Sequence, residues 1–428
     1  MNHYHYKCSN CNSKFPIEDI EKDSKYLCPK CGKAEKNRPL QGVLWIEYDY
    51  DKIKNELNKD TFLKIPAGRF WEYPNLLPLE FNSQVKNFTN INSEQLDRLQ
   101  LNENPLLKYE IDNHPVLVFD DTRNPTLSFK DRASSLVALK AIQLGINEIA
   151  AASTGNAGSS LAGICARLGL KSHLFVPSTI PTGKKIQIQS FGAEIYLVDG
   201  DYDAAFDLCL EVSTKKGWYN RNTAFNPLTI EGKKSAAYDI YIATKGDIPD
   251  LIFVPVGDGV IISGIYKGFW ELKKLGWIEE IPKLIGVQAK GSDALVRYLE
   301  KGQFEYFPAS TIADSICAGA PRNLYMAADS IKKSEGFAVS VSDEEILAAQ
   351  KIAAHKMGLL IEPAAAASFA GYLKLKEDEM IQNKKAMLLF TGNGLKDLDS
   401  LMEWNVQSEK KTVEEWKNYF ELKIIQKF

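Results

Sequence analysis

A chain of 428 residues exceeds what one hydrophobic core serves and predicts two or three domains. Its 45% hydrophobic and 25% charged residues exclude wholesale disorder, and 52 basic against 55 acidic side chains, a net charge of −3, exclude recruitment to nucleic acid or membrane by bulk charge. No apolar run approaches the roughly 18 residues that span a bilayer. The start, MNHYHYKCSNC, lacks the apolar stretch of a signal peptide, so the expected location is cytoplasmic.

The first element holds four of the seven cysteines, an odd total that argues against a disulfide scaffold. Cys8 and Cys11 form one CxxC, and Cys28-Pro29-Lys30-Cys31-Gly32 forms a second of the CPxCG type. Each presents two thiolates from a tight turn, and the pair predicts a zinc ribbon over residues 1–40 with a structural Zn²⁺. With four thiolates no coordination position stays open, which excludes catalytic zinc. Glu18, Asp19, Glu21 and Asp23 would repel phosphates and count against nucleic-acid binding.

Residues 33–125 read as a connecting region and the start of the main body. From about 130 onward helical stretches alternate with short apolar runs: Ile149–Ala152, His173–Val176, Ile195–Val198, Leu251–Val256, Leu284–Val287 and Ala386–Phe390. Nearly all-apolar strands between helices predict an α/β protein with a doubly wound parallel sheet. Ligands in such folds bind beyond the carboxyl ends of the strands. Three glycine loops fall there: Ser153-Thr154-Gly155-Asn156-Ala157-Gly158, Gly257-Asp258-Gly259 and Thr391-Gly392-Asn393-Gly394. Backbone N–H groups at helix starts cradle phosphate or carboxylate, so three such loops on one edge predict an anionic ligand. No GxGxxG follows the first strand and no GxxxxGK[ST] occurs, so dinucleotides and nucleoside triphosphates are poor candidates. Ahead of the loops, Lys130 opens a helix. A cation is disfavoured at that positive end, which lowers the proton affinity of its amine and favours the neutral form that makes a Schiff base.

With these segments in order, the sequence resembles the threonine synthase family of pyridoxal-phosphate (PLP) enzymes, which has the tryptophan-synthase-β fold (fold type II). The segments that carry the resemblance are Pro125-Thr126-Leu127-Ser128-Phe129-Lys130-Asp131-Arg132, Ser153–Ala157, Val254-Pro255-Val256-Gly257-Asp258, Ile361-Glu362-Pro363-Ala364-Ala365-Ala366 and Phe390–Asp397. Weaker echoes are Trp71-Glu72-Tyr73, Gly183-Lys184 and Asn226-Pro227 before Glu231-Gly232, and the whole covers residues from about 69 to 400. A zinc-ribbon start is also common in that family.

The resemblance implies two α/β domains behind the ribbon: a large one from 41–130 and 230–428, and a small one from 131–229. It implies that Lys130 holds PLP and later moves the substrate proton. Asn156 would bond the cofactor's phenolic oxygen, and Thr391 would face its pyridine nitrogen. Gly257, Asp258, Gly259, Val260 and Ile261 would cradle its phosphate. Ser153, Thr154, Gly155 and Ala157 would face the substrate, and a homodimer is the expected assembly. A neutral hydroxyl at Thr391 suits elimination and replacement over transamination.

Three positions depart from the family, and each of them there touches the substrate phosphate of O-phosphohomoserine. Ala157 stands for threonine, Asp258 for asparagine and Thr229 for arginine. A buried phosphate needs charge-assisted donors, so the departures predict a relocated anion site. Arg322, in the substrate-facing loop, and Lys184 are the chosen replacements, with Arg221 and Lys185 behind them. The preferred reaction is β-replacement on O-phospho-L-serine, as in cysteate synthases that add sulfite. The alternatives are threonine synthesis from O-phospho-L-homoserine and water, a serine or threonine dehydratase, and a non-catalytic binding module. Cys165 and Cys209 read as core residues and Cys317 as a neighbour of the substrate loop. The stretch from about 403, with Trp416, Tyr419 and Phe420, predicts an amphipathic helix packed on the body or on a partner.

Overall fold

The computed structural model describes residues 3–22, 26–153, 155–178, 180, 182–200, 202–406 and 408–425. All six apolar runs are strands, and they divide between two sheets. The smaller sheet is parallel throughout, in the order Glu194–Val198, Lys171–Pro177, Glu148–Ala152, Tyr219–Asn220. The larger runs Phe337–Val341, Lys283–Ala289, Leu251–Pro255, Ala386–Phe390, His114–Asp120, Leu106–Ile111, and only its last pair is antiparallel. The central strands Leu251–Pro255 and Ala386–Phe390 are buried at every residue because helices cover both faces.

Four strands of these two sheets have no counterpart among the apolar runs. Leu106–Ile111 and His114–Asp120 form a hairpin closed by Asp112 and Asn113, both at positive φ (50° and 65°), as a two-residue turn requires. Only Leu106–Ile111 is at the sheet edge, with Lys108 and Glu110 alternating outward, whereas His114–Asp120 contains an apolar run, Val116–Phe119, inside the segment read as a connecting region. Phe337–Val341 is an edge strand that is only half-buried, and Tyr219–Asn220 has two residues.

Three helices pack unusually closely behind the site: Lys130–Gln143, Leu228–Ala243 and Val260–Lys274. Glycines permit it. A Cβ on Gly232 would fall 2.3 Å from the Arg132 carbonyl oxygen, and one on Gly264 would fall 2.8 Å from Lys233 Cβ. A Cβ on Gly268 would meet Ala237 Cβ at 2.6 Å.

The amino-terminal module pairs Tyr4–Cys8 with Lys14–Phe15 on one side and with Leu44–Tyr48 on the other, so its sheet takes in a strand beyond residue 40. It is joined to the body by a buried ionic quartet. Lys234 lies 2.7 Å from Glu231 and 2.9 Å from Glu271, while Lys267 lies 3.0 Å from each. Tyr48 donates to Glu231 at 2.6 Å, Tyr50 donates to Glu271 at 2.9 Å, and Lys267 donates to the Ile46 carbonyl. Every charge in the quartet therefore has two or more partners, the condition under which buried ions are tolerated.

The closing helix forms at Val413–Ile425, with Tyr419 (37%) and Phe420 (57%) exposed and Trp416 edge-on to the first and stacked on the second. No helix among the described residues is long and apolar enough to cross a membrane.

Candidate active site

The carboxyl ends of the two sheets face a cavity of about 400 Å³. Lys130, Ser153, Gly155, Asn156, Ala157, Gly257, Asp258, Gly259, Val260, Ile261, Arg322 and Thr391 all line it. These residues come from five chain segments that the two sheets bring to one place. Thr154 lies outside the described residues. Lys184 occupies an adjoining cleft that shares Gly155 and Asn156 with the main cavity, and its ammonium pairs with Asp314. Asp314 lines both the cleft and the main cavity, so the pair stands where the two meet.

Lys130 is the first residue of its helix and is held by the two residues that follow it. Asp131 accepts from the Thr126 N–H (2.7 Å) and Ser160 Oγ (2.7 Å). Arg132 is fully buried between Asp121 (2.5 Å) and Asp239 (2.6 Å). The approach to Lys130 passes through Leu127 at φ 63°, a conformation an L-residue adopts only under tertiary constraint. Here the constraint is a bond from the Asn393 N–H to the Leu127 carbonyl (3.1 Å) and one from the Leu127 N–H to the Asn124 carbonyl (2.8 Å). Burial lowers the proton affinity of Lys130, and the nearby Arg221 adds to that while Glu362 and Asp258 oppose it. The direction is the one the helix start predicts, with desolvation as the main cause.

Gly259 precedes the Val260–Lys274 helix at φ 85°, where a Cβ would fall 2.7 Å from Ala327 Cβ. The first N–H of this helix with an acceptor is that of Ser263, which bonds the Gly259 carbonyl at 3.3 Å. The N–H groups of Val260, Ile261 and Ile262 have none among the described residues, and all three residues line the cavity. Such a crown of amides is a phosphate site. Asp258 turns its carboxylate to the Arg322 N–H (3.1 Å) and its carbonyl to the Asn323 N–H (2.9 Å), which ties the glycine loop to the Pro321–Asn323 turn. Burial raises the Asp258 pKa, against the pull of Lys233 and Lys130.

Several lining residues carry no role in the sequence reading. Glu362 accepts from Asn156 Nδ2 at 2.7 and 2.9 Å, and so orients the amide predicted to meet the cofactor. It stood in the recognised Ile361-Glu362-Pro363 segment, a carboxylate before a proline-started helix, but nothing linear links it to Asn156. Lys233 and Tyr202 come from helices, and Asn37 comes from the amino-terminal module. That module also holds the Arg322 loop: the Leu40 N–H bonds the Arg322 carbonyl at 3.1 Å, and the Arg322 guanidinium reaches the Arg38 carbonyl at 3.5 Å. Cys317 is on the cavity wall, where burial pushes its thiol pKa up, away from reactivity.

The Sγ atoms of Cys8, Cys11, Cys28 and Cys31 lie within 4.8 Å of one another, with Cys8–Cys31 at 3.4 Å and Cys11–Cys28 at 3.7 Å. A tetrahedral ion with bonds of about 2.3 Å sets its sulfurs about 3.8 Å apart. The spacing fits a metal and is far too wide for disulfides.

The pyridoxal-phosphate dependent enzyme family model matches residues 98–392. A lysine at the cavity, an amide crown for a phosphate and this family match define a PLP-dependent enzyme of fold type II. The threonine synthase of Methanocaldococcus jannaschii is 34% identical over 399 residues, covering 92% of this chain and 93% of that protein. That of Methanosarcina acetivorans is 34% identical over 405 residues, with 94% of each covered. The chain belongs to the threonine synthase family. Its fold is shared by a fungal L-serine ammonia-lyase from Rhizomucor miehei (TM-score 0.59, 19% identical, 71% of this chain and 98% of that one) and by maize serine racemase (TM-score 0.63, 18% identical, 72% and 94%).

The residues present fit the cofactor. The amide crown can take its phosphate, Lys130 faces the same space, and a Cβ built on Gly155 meets no atom within 4 Å because it points into the open cavity. An elimination or replacement enzyme acting on an amino acid is what this family and this site define.

Proposed function

We propose that the enzyme performs β-replacement on O-phospho-L-serine, with a small nucleophile such as sulfite taking the place of phosphate. One observation carries the substrate choice. At the family's arginine position, Thr229 is fully buried outside the cavity, its hydroxyl donating to the Asn226 carbonyl at 2.7 Å. Ala157 lines the cavity without a hydroxyl, and Asp258 presents an acid. The contacts that reach a γ-phosphate in the family are thus missing together, and a substrate shorter by one carbon brings its leaving group nearer the cofactor.

PLP supplies an electron sink beside the substrate Cα. The chain's residues do the rest. The Ser153 to Gly155 loop binds the α-carboxylate, the Val260–Ile262 amides hold the cofactor phosphate, and Asn156, oriented by Glu362, fixes the ring. Lys130 takes the Cα proton and returns it after the nucleophile has added, a role its lowered proton affinity favours. Arg322 stands on the substrate side, and the four cysteines hold structural Zn²⁺.

The test is phosphate release from O-phospho-L-serine and from O-phospho-L-homoserine, with product masses recorded in the presence of sulfite, sulfide or water. Faster release from the serine ester and a product carrying the added nucleophile support the reading. Faster release from phosphohomoserine with threonine as product overturns it in favour of threonine synthesis, the activity in the relatives' names.

A further inference from the structure

The chain pairs its buried cations with carboxylates wherever they lie away from the cavity. Arg132 has two aspartates, Lys140 has Glu21 at 3.0 Å, and Lys234 and Lys267 share two glutamates. Two cations break the pattern. Lys233 and Arg221, each 1% exposed, have no carboxylate oxygen within 4.0 Å among the described residues. Lys233 lines the cavity without a hydrogen-bond partner among those residues. Arg221 spends two nitrogens on neutral hydroxyls, Ser134 at 3.2 Å and the cavity-lining Thr223 at 2.9 Å, and its remaining Nη2 is buried with no partner. A buried ammonium beside a buried guanidinium, with no carboxylate in contact and Asp258 the acid facing them across the cavity, costs stability in a ligand-free protein and is relieved by an anion.

The position of Lys233 indicates which anion. It is one helical turn beyond Thr229, so the two share a helix face. Its Cβ is the close neighbour of Gly264, one turn into the helix whose first three amides line the same cavity. A long side chain from there reaches back toward the amide crown.

We infer that Lys233, backed by Arg221, is the cation of a phosphate-monoester seat at the amide crown of Val260–Ile262, facing either the phosphate on the crown or a second one beside it. The inference rests on the reading of the cavity as a PLP site with a phosphorylated substrate, and two phosphates could use the seat: the cofactor's or the substrate's. The dianion gains a cation where the family's arginine is absent.

Binding to the purified protein tests this without turnover. Inorganic phosphate is titrated calorimetrically into the holoenzyme, and PLP is titrated spectrophotometrically into protein stripped of it, for wild type, Lys233→Met, Arg221→Met and Thr229→Val. Loss of one charge-assisted contact should weaken binding roughly 10- to 100-fold for Lys233→Met, less for Arg221→Met, and leave Thr229→Val at the wild-type value. Weakening of inorganic phosphate alone assigns the seat to the substrate, and weakening of PLP alone assigns it to the cofactor. Because Lys233→Met removes a buried charge that no carboxylate contacts, its ligand-free form should melt no lower than wild type, which separates a lost seat from a lost fold. Unchanged affinity for both phosphates in Lys233→Met overturns the inference. If binding behaves as expected but neither phosphorylated amino acid is turned over, the seat stands and only the substrate reading falls.

Discussion

Replacing Lys267 by methionine tests whether the amino-terminal module is held by charge. The Lys267 ammonium lies 3.0 Å from both Glu231 and Glu271, donates to the Ile46 carbonyl and sits 4.5 Å from the Trp45 ring centroid. Methionine fills similar space but leaves two buried carboxylates facing one ammonium, Lys234. Breaking a buried pair in this way costs about 3–5 kcal/mol. Lys267→Met with Glu231→Gln restores one charge of each sign and should recover about 1–3 kcal/mol of that loss. Equilibrium urea unfolding reads the difference through tryptophan emission, since Trp45 packs edge-on against Trp270 at 5.8 Å beside the quartet. A single variant that unfolds at the wild-type urea concentration, or a double variant no more stable than the single one, refutes the reasoning.

The same quartet sets a pH window. Burial works to raise the Glu271 pKa, but Lys234 and Lys267 overcome it and hold the value below the usual carboxylate range; its contribution is complete above the unfolded pKa of about 4.3 and is lost as pH falls through the lowered folded value. Burial works to lower Lys267, but Glu231 and Glu271 hold it above the usual range, so its contribution is complete below about 10.4 and is lost as pH rises through the raised value. The destabilisation by Lys267→Met should therefore be flat from about pH 5 to 10 in urea midpoints, and a steady slope across that interval contradicts it. Lys130→Ala should abolish borohydride-fixable cofactor and lower turnover by about 10²–10⁴-fold or more, read by absorbance and phosphate release. Gly259→Ala, forced to φ 85° and against Ala327, should cost about 1–3 kcal/mol and weaken PLP binding, measured by thermal melts and cofactor titration. Cys28→Ser, or chelation, should strip zinc by elemental analysis and lower the melting temperature, because metal binding energy is folding energy in such a module.

What was legible in the sequence follows from what linear patterns encode. Fully buried parallel strands are nearly all-apolar, and loops that bind anions need glycine, so Leu251–Pro255, Gly257, Gly259 and the Lys130 segment stand out unaided. The hairpin at Leu106–Asp120 does not, because its edge strand Leu106–Ile111 alternates and the apolar run Val116–Phe119 stands in a stretch with no regular helix-strand rhythm around it. Lys233 and Glu362 were illegible for a different reason. Glu362 acquires meaning only from a partner some two hundred residues away, and Lys233 from the absence of a partner. No spacing records either. The pairing of Lys184 with Asp314 is likewise a contact that no spacing in the sequence records.

The turn Glu231–Ser235 joins the parts of this molecule. Glu231 and Lys234 belong to the quartet under the amino-terminal module, Gly232 presses against the backbone at Arg132, Lys233 enters the cavity, and Ser235 Oγ bonds Arg132 at 2.9 Å. Five consecutive residues thus answer to neighbours on every side. A change of substrate here can be made only by exchanging a side chain that points into the cavity, since moving the backbone would disturb every neighbour at once. The module that carries the cysteines is accordingly no detachable appendage. Cutting it away would open the quartet to water from one side, and the damage would travel through this one turn to the helix that carries Lys130.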